Sequence, residues 1–286
     1  MRNQFVKTIT EIMEKDEKLY LLLGDIGVWG FRHVLEQYPD RAKNIGICEQ
    51  ATIGLAAGLA MTGFIPIVHT IAPFLVERAY EFLKVDFGYQ RLGGNFVSVG
   101  ASFDYNKLGS THHCPADVAI LSQIPNMQIV VPGHPKEFDI LFKQSYKNNQ
   151  PTYYRLSEHV NADHFGVNFG EVLPLHGTGS RFTLLVTGPA FEYVRKSGLL
   201  GDDRIKVLYC STVVPLDLKT IGNNVPSSKL IVVEPFYSAV LPEIINAFPH
   251  LNIVSVSPDK GFVSVGFDQQ KDITNRLIWN VRRLRW

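Results

Sequence analysis

The stretch from Asn44 to Thr62, NIGICEQATIGLAAGLAMT, constrains the fold of this chain more than any other. A short apolar strand over Ile45–Ile47 is predicted to lead to Glu49, after which alanines and glycines recur at helical spacing. Small side chains let a helix lie close to a neighbouring backbone. Because a helix-interior glycine costs about 1 kcal/mol, Gly54 and Gly58 predict close packing that offsets this cost.

Glu49 is the one ionisable residue, cysteine aside, between Lys43 and His69. An acid in such an apolar stretch is either paired or held in an unusual protonation state. The residues alone leave two interpretations open. Glu49 is either a functional carboxyl group or an exposed glutamate at the start of a helix.

Composition restricts the partners of the chain. The 286 residues fit one large domain or two ordinary ones, and 45 % apolar with 19 % charged residues indicates a globular protein with ample core. A net charge of +1, with no Lys/Arg run before Arg282-Arg283, argues against nucleic acid as a partner.

The chain is expected to be cytoplasmic, without a signal peptide or a membrane span. Its N-terminus is amphipathic and charged, which is unlike a secretory signal. Residues Ile53–Val76 are nearly free of charge, but Gly63, Pro66 and Pro73 interrupt them. Three widely separated cysteines suit a reducing compartment better than a disulfide framework.

Strands and helices are predicted to alternate through the first half, which is typical of a doubly wound, parallel α/β domain. The predicted strands are Leu19–Leu23, Ile65–His69, Asn95–Val99, Met127–Val131 and Thr152–Leu156. The predicted helices are 3–18, Phe31–Gln37, Thr70–Asp86, Cys114–Gln123 and Glu137–Lys147.

A polar, glycine-rich segment, Ser157–Arg181, is predicted to link this domain to a second α/β domain. Predicted strands there are Phe182–Thr187, Lys206–Cys210, Lys229–Glu234 and Leu251–Ser255, with helices at Phe191–Leu199 and Tyr237–Phe248. We therefore expect two domains, at residues 1–160 and 175–286.

Residues 45–59, IGICEQATIGLAAGL, resemble the GIxEQxxxGxAAGxA signature of the pyrimidine-binding domain in the transketolase family. Deoxyxylulose-phosphate synthase and the β subunit of the first pyruvate dehydrogenase component are relatives of that family. LLVTG at 184–188 and PLD at 215–217 resemble its C-terminal domain more weakly. The resemblance implies two doubly wound α/β domains, the last two of the family's three.

The resemblance also implies a thiamine diphosphate site. In the family, the signature glutamate, Glu49 here, protonates the aminopyrimidine ring and so makes its exocyclic amine acidic enough to act as the internal base. TIAPF at 70–74 aligns with the family's TFxxF segment, which implies that Phe74 stacks on the pyrimidine. Ile71 replaces the first aromatic residue, so one wall of this cofactor-binding pocket is expected to be aliphatic. As a helical phenylalanine, Phe74 also fits a plain core role.

Two further positions match family residues near the substrate. GSTH at 109–112 resembles the GPTH loop, which implies that His112 faces the substrate and hydrogen-bonds its reacting oxygen. A loop histidine without such a role remains the alternative, whereas a metal site with His113 and Cys114 is disfavoured because adjacent side chains diverge. Asp25 matches an aspartate near the substrate or the subunit interface.

Departures from the family pattern concern phosphate recognition. Arg155 is retained at the end of its strand and is expected to bind substrate, but the later phosphate-gripping arginine is replaced by Glu158-His159. A carboxylate there repels a phosphate, so ordinary pentose-phosphate activity is not expected. NKLG at 106–109 stands in place of the family's Gly-Glu-Asp-Gly.

The motif that binds the diphosphate through Mg²⁺ has no convincing match. Gly201-Asp202-Asp203 with Asn223-Asn224 lacks the third glycine and lies in the second half, so no metal site is expected there. The resemblance then implies a partner: a large, α-type subunit that binds the diphosphate and Mg²⁺, in an α2β2 assembly. Its interface would account for the apolar segment Ile53–Val76.

The resulting hypothesis is a thiamine diphosphate-dependent transferase subunit that moves a two-carbon ketol unit between sugar-type substrates. One alternative is an acyl-transferring or decarboxylating subunit like those of 2-oxo acid dehydrogenases, which require a lipoyl carrier. The other is a catalytically silent subunit that completes the fold of its partner.

Overall fold

The computed structural model describes residues 1–283, which form two mostly parallel β-sheets with intervening helices. The strands are β1 Leu19–Leu23, β2 Ala42–Asn44, β3 Ile65–Ile71, β4 Gly94–Val99, β5 Gln128–Val130, β6 Pro151–Arg155, β7 Val172–His176, β8 Phe182–Thr187, β9 Ile205–Cys210, β10 Thr212–Val214, β11 Lys229–Val233 and β12 Asn252–Val256. The helices are α1 Arg2–Met13, α2 Arg32–Gln37, α3 Glu49–Met61, α4 Ala72–Val76, α5 Tyr80–Phe82, α6 Asp117–Leu121, α7 Pro135–Ser145, α8 Phe191–Lys196, α9 Leu218–Asn223, α10 Leu241–Ala247 and α11 Gln269–Arg283.

The first sheet has the strand order β10-β5-β6-β4-β3-β1-β2 and is parallel except where β10 runs antiparallel to β5. The central strands of this sheet, β1, β3, β4 and β6, are buried on both faces, which explains why they read as largely apolar runs. Leu21 and Leu23 pack into the core on one face, and Leu22 packs into the core on the other. The predicted α/β fold class is thus confirmed.

The second sheet has the order β12-β11-β8-β9-β7, with β7 antiparallel to β9. Strand β7 lies inside Ser157–Arg181, the segment predicted as a linker, so that prediction was wrong for its second half. The segment contains Pro174 and flanking glycines that hide its strand character from pattern reading. An edge strand tolerates proline because one side of its backbone needs no ladder partner.

Strand β10 comes from the second half of the chain but pairs with the first sheet. Nearby, Ser102 Oγ donates to the Pro235 carbonyl, and the Arg155 guanidinium lies 5.2 Å from the centre of the Phe236 ring. These contacts pack the second half against the loop after β4. This contact region was not predicted, because no local pattern shows which distant segments meet.

Two predicted elements of the first half differ in the structure. No strand forms over Ile45–Ile47, where one was expected; the observed strand, β2, ends at Asn44. Gly46 adopts φ +82° and turns the chain outward, so Ile47 is 69 % exposed. The helix expected over Thr70–Asp86 is instead α4, a turn, α5 and a π-helical segment at Leu83–Tyr89. Strand β3 continues to Ile71, and α4 begins directly after it, with Pro73 in its first turn.

The remaining differences concern elements that lacked a strong periodic pattern. Helix α6 is shorter than the predicted Cys114–Gln123, and β10, α9 and α11 were not predicted. Within residues 1–283, no helix combines the length and apolarity that a membrane crossing requires.

Candidate active site

The parallel strands of the first sheet bring several predicted site residues to one edge. Asp25 follows β1, Glu49 follows β2, Ile71 ends β3 with Phe74 just beyond it, and the loop after β4 carries His112. Since β2, β1, β3 and β4 are adjacent and parallel, their carboxyl ends lie side by side. The crevice outside such carboxyl ends is the usual ligand site of an open α/β sheet.

Glu49 is the first residue of α3 and is only 2 % exposed. Its Oε2 accepts a hydrogen bond of 2.8 Å from Arg78 Nη1, while Oε1 is buried and has no hydrogen-bond partner among residues 1–283. The N–H groups at a helix N-terminus favour an anion there. The interpretation of Glu49 as an exposed helix-start residue is therefore wrong.

Arg78 joins Glu49 to Phe74. Its guanidinium carbon lies 4.2 Å from the centre of the Phe74 ring, while Nη1 of the same group bonds Glu49. One planar guanidinium thus contacts both Glu49 and Phe74. Sequence reasoning missed Arg78, which lies in the turn that follows α4, four residues after Phe74.

His112 is the third predicted residue in this place. Its ring meets Phe74 edge-on, with centroids 5.3 Å apart, and its Nδ1 lies 2.9 Å from Thr111 Oγ1. Helix α4 packs against the short turn that carries His112. We refer to Glu49, Phe74, Arg78 and His112 as the Glu49 cluster.

His113 points elsewhere. It is buried with its ring 5.2 Å from that of Phe103, and burial lowers the pKa of its imidazole. Cys114 donates its thiol to Glu77 Oε1 at 3.6 Å. Among the described residues, no group of three or more His, Cys, Asp or Glu side chains is arranged to hold a metal ion.

Asp25 and Ile71 lie at the same sheet edge. Asp25 adopts φ +58° and exchanges two hydrogen bonds of 3.0 Å with the side chain of Asn44, at the rim of a cavity of about 460 Å³ beside Trp29. Ile71 is half-buried where β3 meets α4. The aliphatic side chain predicted for this wall lies three residues before Phe74 in the chain and beside Gly100 in space.

Arg155 lies away from solvent. It is 1 % exposed, its Nε donates to Asp117 Oδ2 at 2.7 Å, and its Nη2 donates to Ser102. The same Asp117 oxygen accepts the Tyr153 hydroxyl at 2.9 Å. Since these buried partners occupy the guanidinium, we do not place Arg155 in the candidate substrate site.

A cavity of about 320 Å³ adjoins the segments that carry the Glu49 cluster and combines both halves of the chain. The first half contributes Glu77, Ser110 and His113, and the second half contributes Tyr237 and Phe262. Burial raises the pKa of Glu77, which adjoins Arg78 in the chain. No sequence pattern indicated that the second half reaches this cavity.

The two glycines of α3, Gly54 and Gly58, have open space beside them. A Cβ on Gly58 would meet nothing within 4 Å, and one on Gly54 would meet only Asp86, at 3.9 Å. Leu55 and Met61 on this helix are exposed. The close packing predicted at Gly54 and Gly58 is not provided by the described residues of this chain, and α3 buries its other face against its own sheet.

The Gly201-Asp202-Asp203 sequence serves a different purpose. Asp202 forms ion pairs with Arg204 at 2.8 Å and with Arg181 at 3.1 Å. Asn224 donates its side-chain amide to the Thr220 carbonyl at 2.8 Å. These contacts are local links of the second half.

Comparison with known proteins decides the family. Residues 1–161 match the family described as transketolase, pyrimidine binding domain. The chain belongs to this family. The matched residues carry β1 to β6 and all members of the Glu49 cluster.

Relatives of this transketolase-family chain extend over most of its length. An uncharacterised 33.6 kDa protein in the fasciation locus of Rhodococcoides fascians is 35 % identical, covering 82 % of this chain and 76 % of the relative. An apulose-4-phosphate transketolase subunit of Phocaeicola vulgatus is 26 % identical, covering 94 % of each chain.

A solved structure supports the fold across both sheets. A split-gene transketolase, described as an inactive β4 tetramer, superimposes with a TM-score of 0.85 at 21 % identity. The match covers 99 % of this chain and 96 % of the other. The second half therefore shares the arrangement of that transketolase chain as well as the first.

Proposed function

We propose that this chain is the small subunit of a thiamine diphosphate-dependent, transketolase-like enzyme that transfers a two-carbon ketol unit between sugar-type substrates. Its membership of the transketolase family and its likeness to a relative named as a transketolase subunit support this proposal. The proposed domains remain 1–160, for pyrimidine binding, and 175–286, of the C-terminal type; residues 284–286 lie outside the described part.

One observation carries the proposal: the planar guanidinium of Arg78 contacts Glu49 and Phe74 at once, so a flat group of that size can contact both residues. The buried, unpartnered Oε1 of Glu49 is a strong acceptor, and leaving it unsatisfied costs about 1–3 kcal/mol. The Phe74 face offers stacking worth about 0.5–1.5 kcal/mol beyond burial. An aminopyrimidine ring has the matching flat shape, and its ring nitrogen can share a proton with the Glu49 carboxyl group.

In this assignment, Glu49 holds a proton against the ring nitrogen of thiamine diphosphate, and Phe74 fixes the orientation of the ring. When bound, the cofactor supplies a nucleophilic carbon that breaks a carbon–carbon bond next to a carbonyl group. Ile71 closes the aliphatic side of the pocket, and the half-buried site excludes part of the bulk water.

His112 is proposed to face the substrate. Its imidazole stands edge-on to Phe74 and can donate or accept a proton at the reacting oxygen of the sugar. Asp25 lies at the same sheet edge and is proposed to contact substrate hydroxyls or the partner subunit. Glu158 is exposed on the chain beyond β6, which disfavours a phosphorylated acceptor there.

The partner is proposed to be an α-type subunit that binds the diphosphate and Mg²⁺, in an α2β2 assembly. The exposed side of α3, with Leu55, Gly58 and Met61, is proposed as part of the partner surface; Glu49 lies on the buried side of the same helix. Helix α3 would then connect the partner surface to the cofactor pocket at its first residue.

The test is a comparison of Glu49→Gln with Glu36→Gln, a surface control, in the complex purified from the native host through a tag on this chain. We expect Glu49→Gln to lower ketol transfer by about 100-fold or more and the control to leave it unchanged. Unchanged turnover in Glu49→Gln would instead favour the catalytically silent subunit. A requirement for a lipoyl carrier would favour the 2-oxo acid dehydrogenase type of reaction.

A further inference from the structure

Arg78 has contacts that the proposed function does not use. Its guanidinium is planar, cationic and rich in N–H donors; it donates to Glu49 Oε2 at 2.8 Å and covers the Phe74 ring at 4.2 Å. The proposed function assigns interactions of the same two kinds to the aminopyrimidine ring: a hydrogen bond to the Glu49 carboxyl group, there at the free Oε1, and stacking on Phe74.

We propose that Arg78 is an internal competitor for the pyrimidine pocket, which it occupies until the cofactor displaces it. This inference rests on the proposed function and adds the regulation of that site. One group cannot lie over the Phe74 ring while another stacks on the same face. When the cofactor takes the face of Phe74 that Arg78 covers, binding requires Arg78 to leave.

The structure makes this displacement inexpensive. The Arg78 side chain is 39 % exposed, whereas that of Glu49 is 3 % exposed, so the arginine can swing into solvent while the carboxylate stays in place. Water hydrates the departing guanidinium, and the cofactor itself supplies the buried Glu49 carboxyl group with a new partner, so the departure of Arg78 leaves no buried charge unpaired.

Competition has a defined thermodynamic consequence. The apparent dissociation constant of the cofactor equals its intrinsic value divided by the fraction of molecules in which the pocket is open. Removal of Arg78 raises this fraction to one. We expect about 3- to 10-fold tighter cofactor binding when Arg78 is removed. This higher affinity should come from a faster association rate, because no molecules with Arg78 in the pocket are left to delay binding.

The opposite role for Arg78 predicts the opposite result. If Arg78 stays on Oε2 while the cofactor uses the free Oε1, the arginine supports the carboxylate, and its removal weakens binding. The sign of the change in affinity therefore distinguishes a competitor from a positioning residue.

The experiment measures binding of thiamine diphosphate with Mg²⁺ to the native complex by calorimetry, and association and dissociation rates by stopped-flow protein fluorescence. The variants are Arg78→Gln, Arg78→Lys and Lys271→Gln, the last of which removes an equal charge from the exposed surface of α11. We expect tighter binding and faster association in Arg78→Gln, a smaller gain in Arg78→Lys, and no change in Lys271→Gln.

Equal or weaker binding by Arg78→Gln, with an unfolding midpoint like that of the wild type, overturns the competitor role. Failure of the proposed function is distinguishable, since the wild-type complex would then bind no thiamine diphosphate, or Glu49→Gln would bind and turn over as the wild type does. Tighter binding that arises only from slower dissociation also contradicts the proposal, because a competitor acts before the cofactor enters.

Discussion

The buried pair of Asp117 and Arg155 provides the sharpest stability prediction. Both side chains are almost fully buried, and Asp117 Oδ2 accepts from Arg155 Nε at 2.7 Å and from the Tyr153 hydroxyl at 2.9 Å. Asp117→Asn preserves the size of the side chain but removes its charge. The Arg155 cation then stays buried without an anionic partner at that contact.

Breaking a buried ion pair by removing one partner costs about 3–5 kcal/mol, because the other charge has lost its hydration without compensation. With a urea m value of about 3 kcal/mol/M for a chain of this size, the unfolding midpoint of Asp117→Asn should fall by about 1–1.7 M. The expected loss is large because Arg155 also holds Ser102, which bonds the Pro235 carbonyl of the second half.

The assay is urea unfolding followed by circular dichroism, with Asp203→Asn as the matched control, since Asp203 is 90 % exposed. The control should stay within about 0.5 kcal/mol of the wild type. Adding Arg155→Gln to Asp117→Asn should restore about 1 kcal/mol or more, because no uncompensated charge is left buried. A loss below about 1 kcal/mol in Asp117→Asn would falsify the reasoning.

Two further predictions concern the surface of α3 and the loop after β4. Gly58→Ala should raise the free energy of unfolding of the isolated chain by about 0.5–1 kcal/mol in urea titrations, since a Cβ at this position meets nothing within 4 Å. The same substitution should weaken assembly with the partner in sedimentation analysis. Unchanged assembly would argue against this face of α3 as the partner surface. Burial raises the pKa of Asp104, which lies beside His159, from 3.8 to about 6, so the folded state binds this proton more tightly than the unfolded state. The stability that this bound proton contributes is complete below about pH 4 and is lost as the pH rises to about 6. The free energy of unfolding of the wild type, relative to that of Asp104→Asn, should therefore fall by about 1–3 kcal/mol across this pH range. A difference that stays constant contradicts the assignment.

Pattern reading predicted the parallel strands well because burial on both faces leaves a strong local signal. The run Leu19–Leu23 was predicted with its observed bounds, and Phe182–Thr187 likewise. Edge elements were predicted poorly: β2 carries exposed Lys43 and Asn44, and β7 contains a proline. A strand at the edge of a sheet is held by hydrogen bonds to one neighbour and is less buried, so its sequence carries only a weak apolar pattern.

The sequence by itself determined the fold class, the family and the identity of Glu49, Phe74 and His112 as candidate site residues, because a long motif and apolar runs are local properties. Only the tertiary structure showed that Arg78 contacts both Glu49 and Phe74, and that Arg155 forms a buried ion pair with Asp117. The physical reason is that side-chain pairing depends on distances between segments far apart in the chain. Those distances are fixed by how the strands align and by which loops meet at their carboxyl ends.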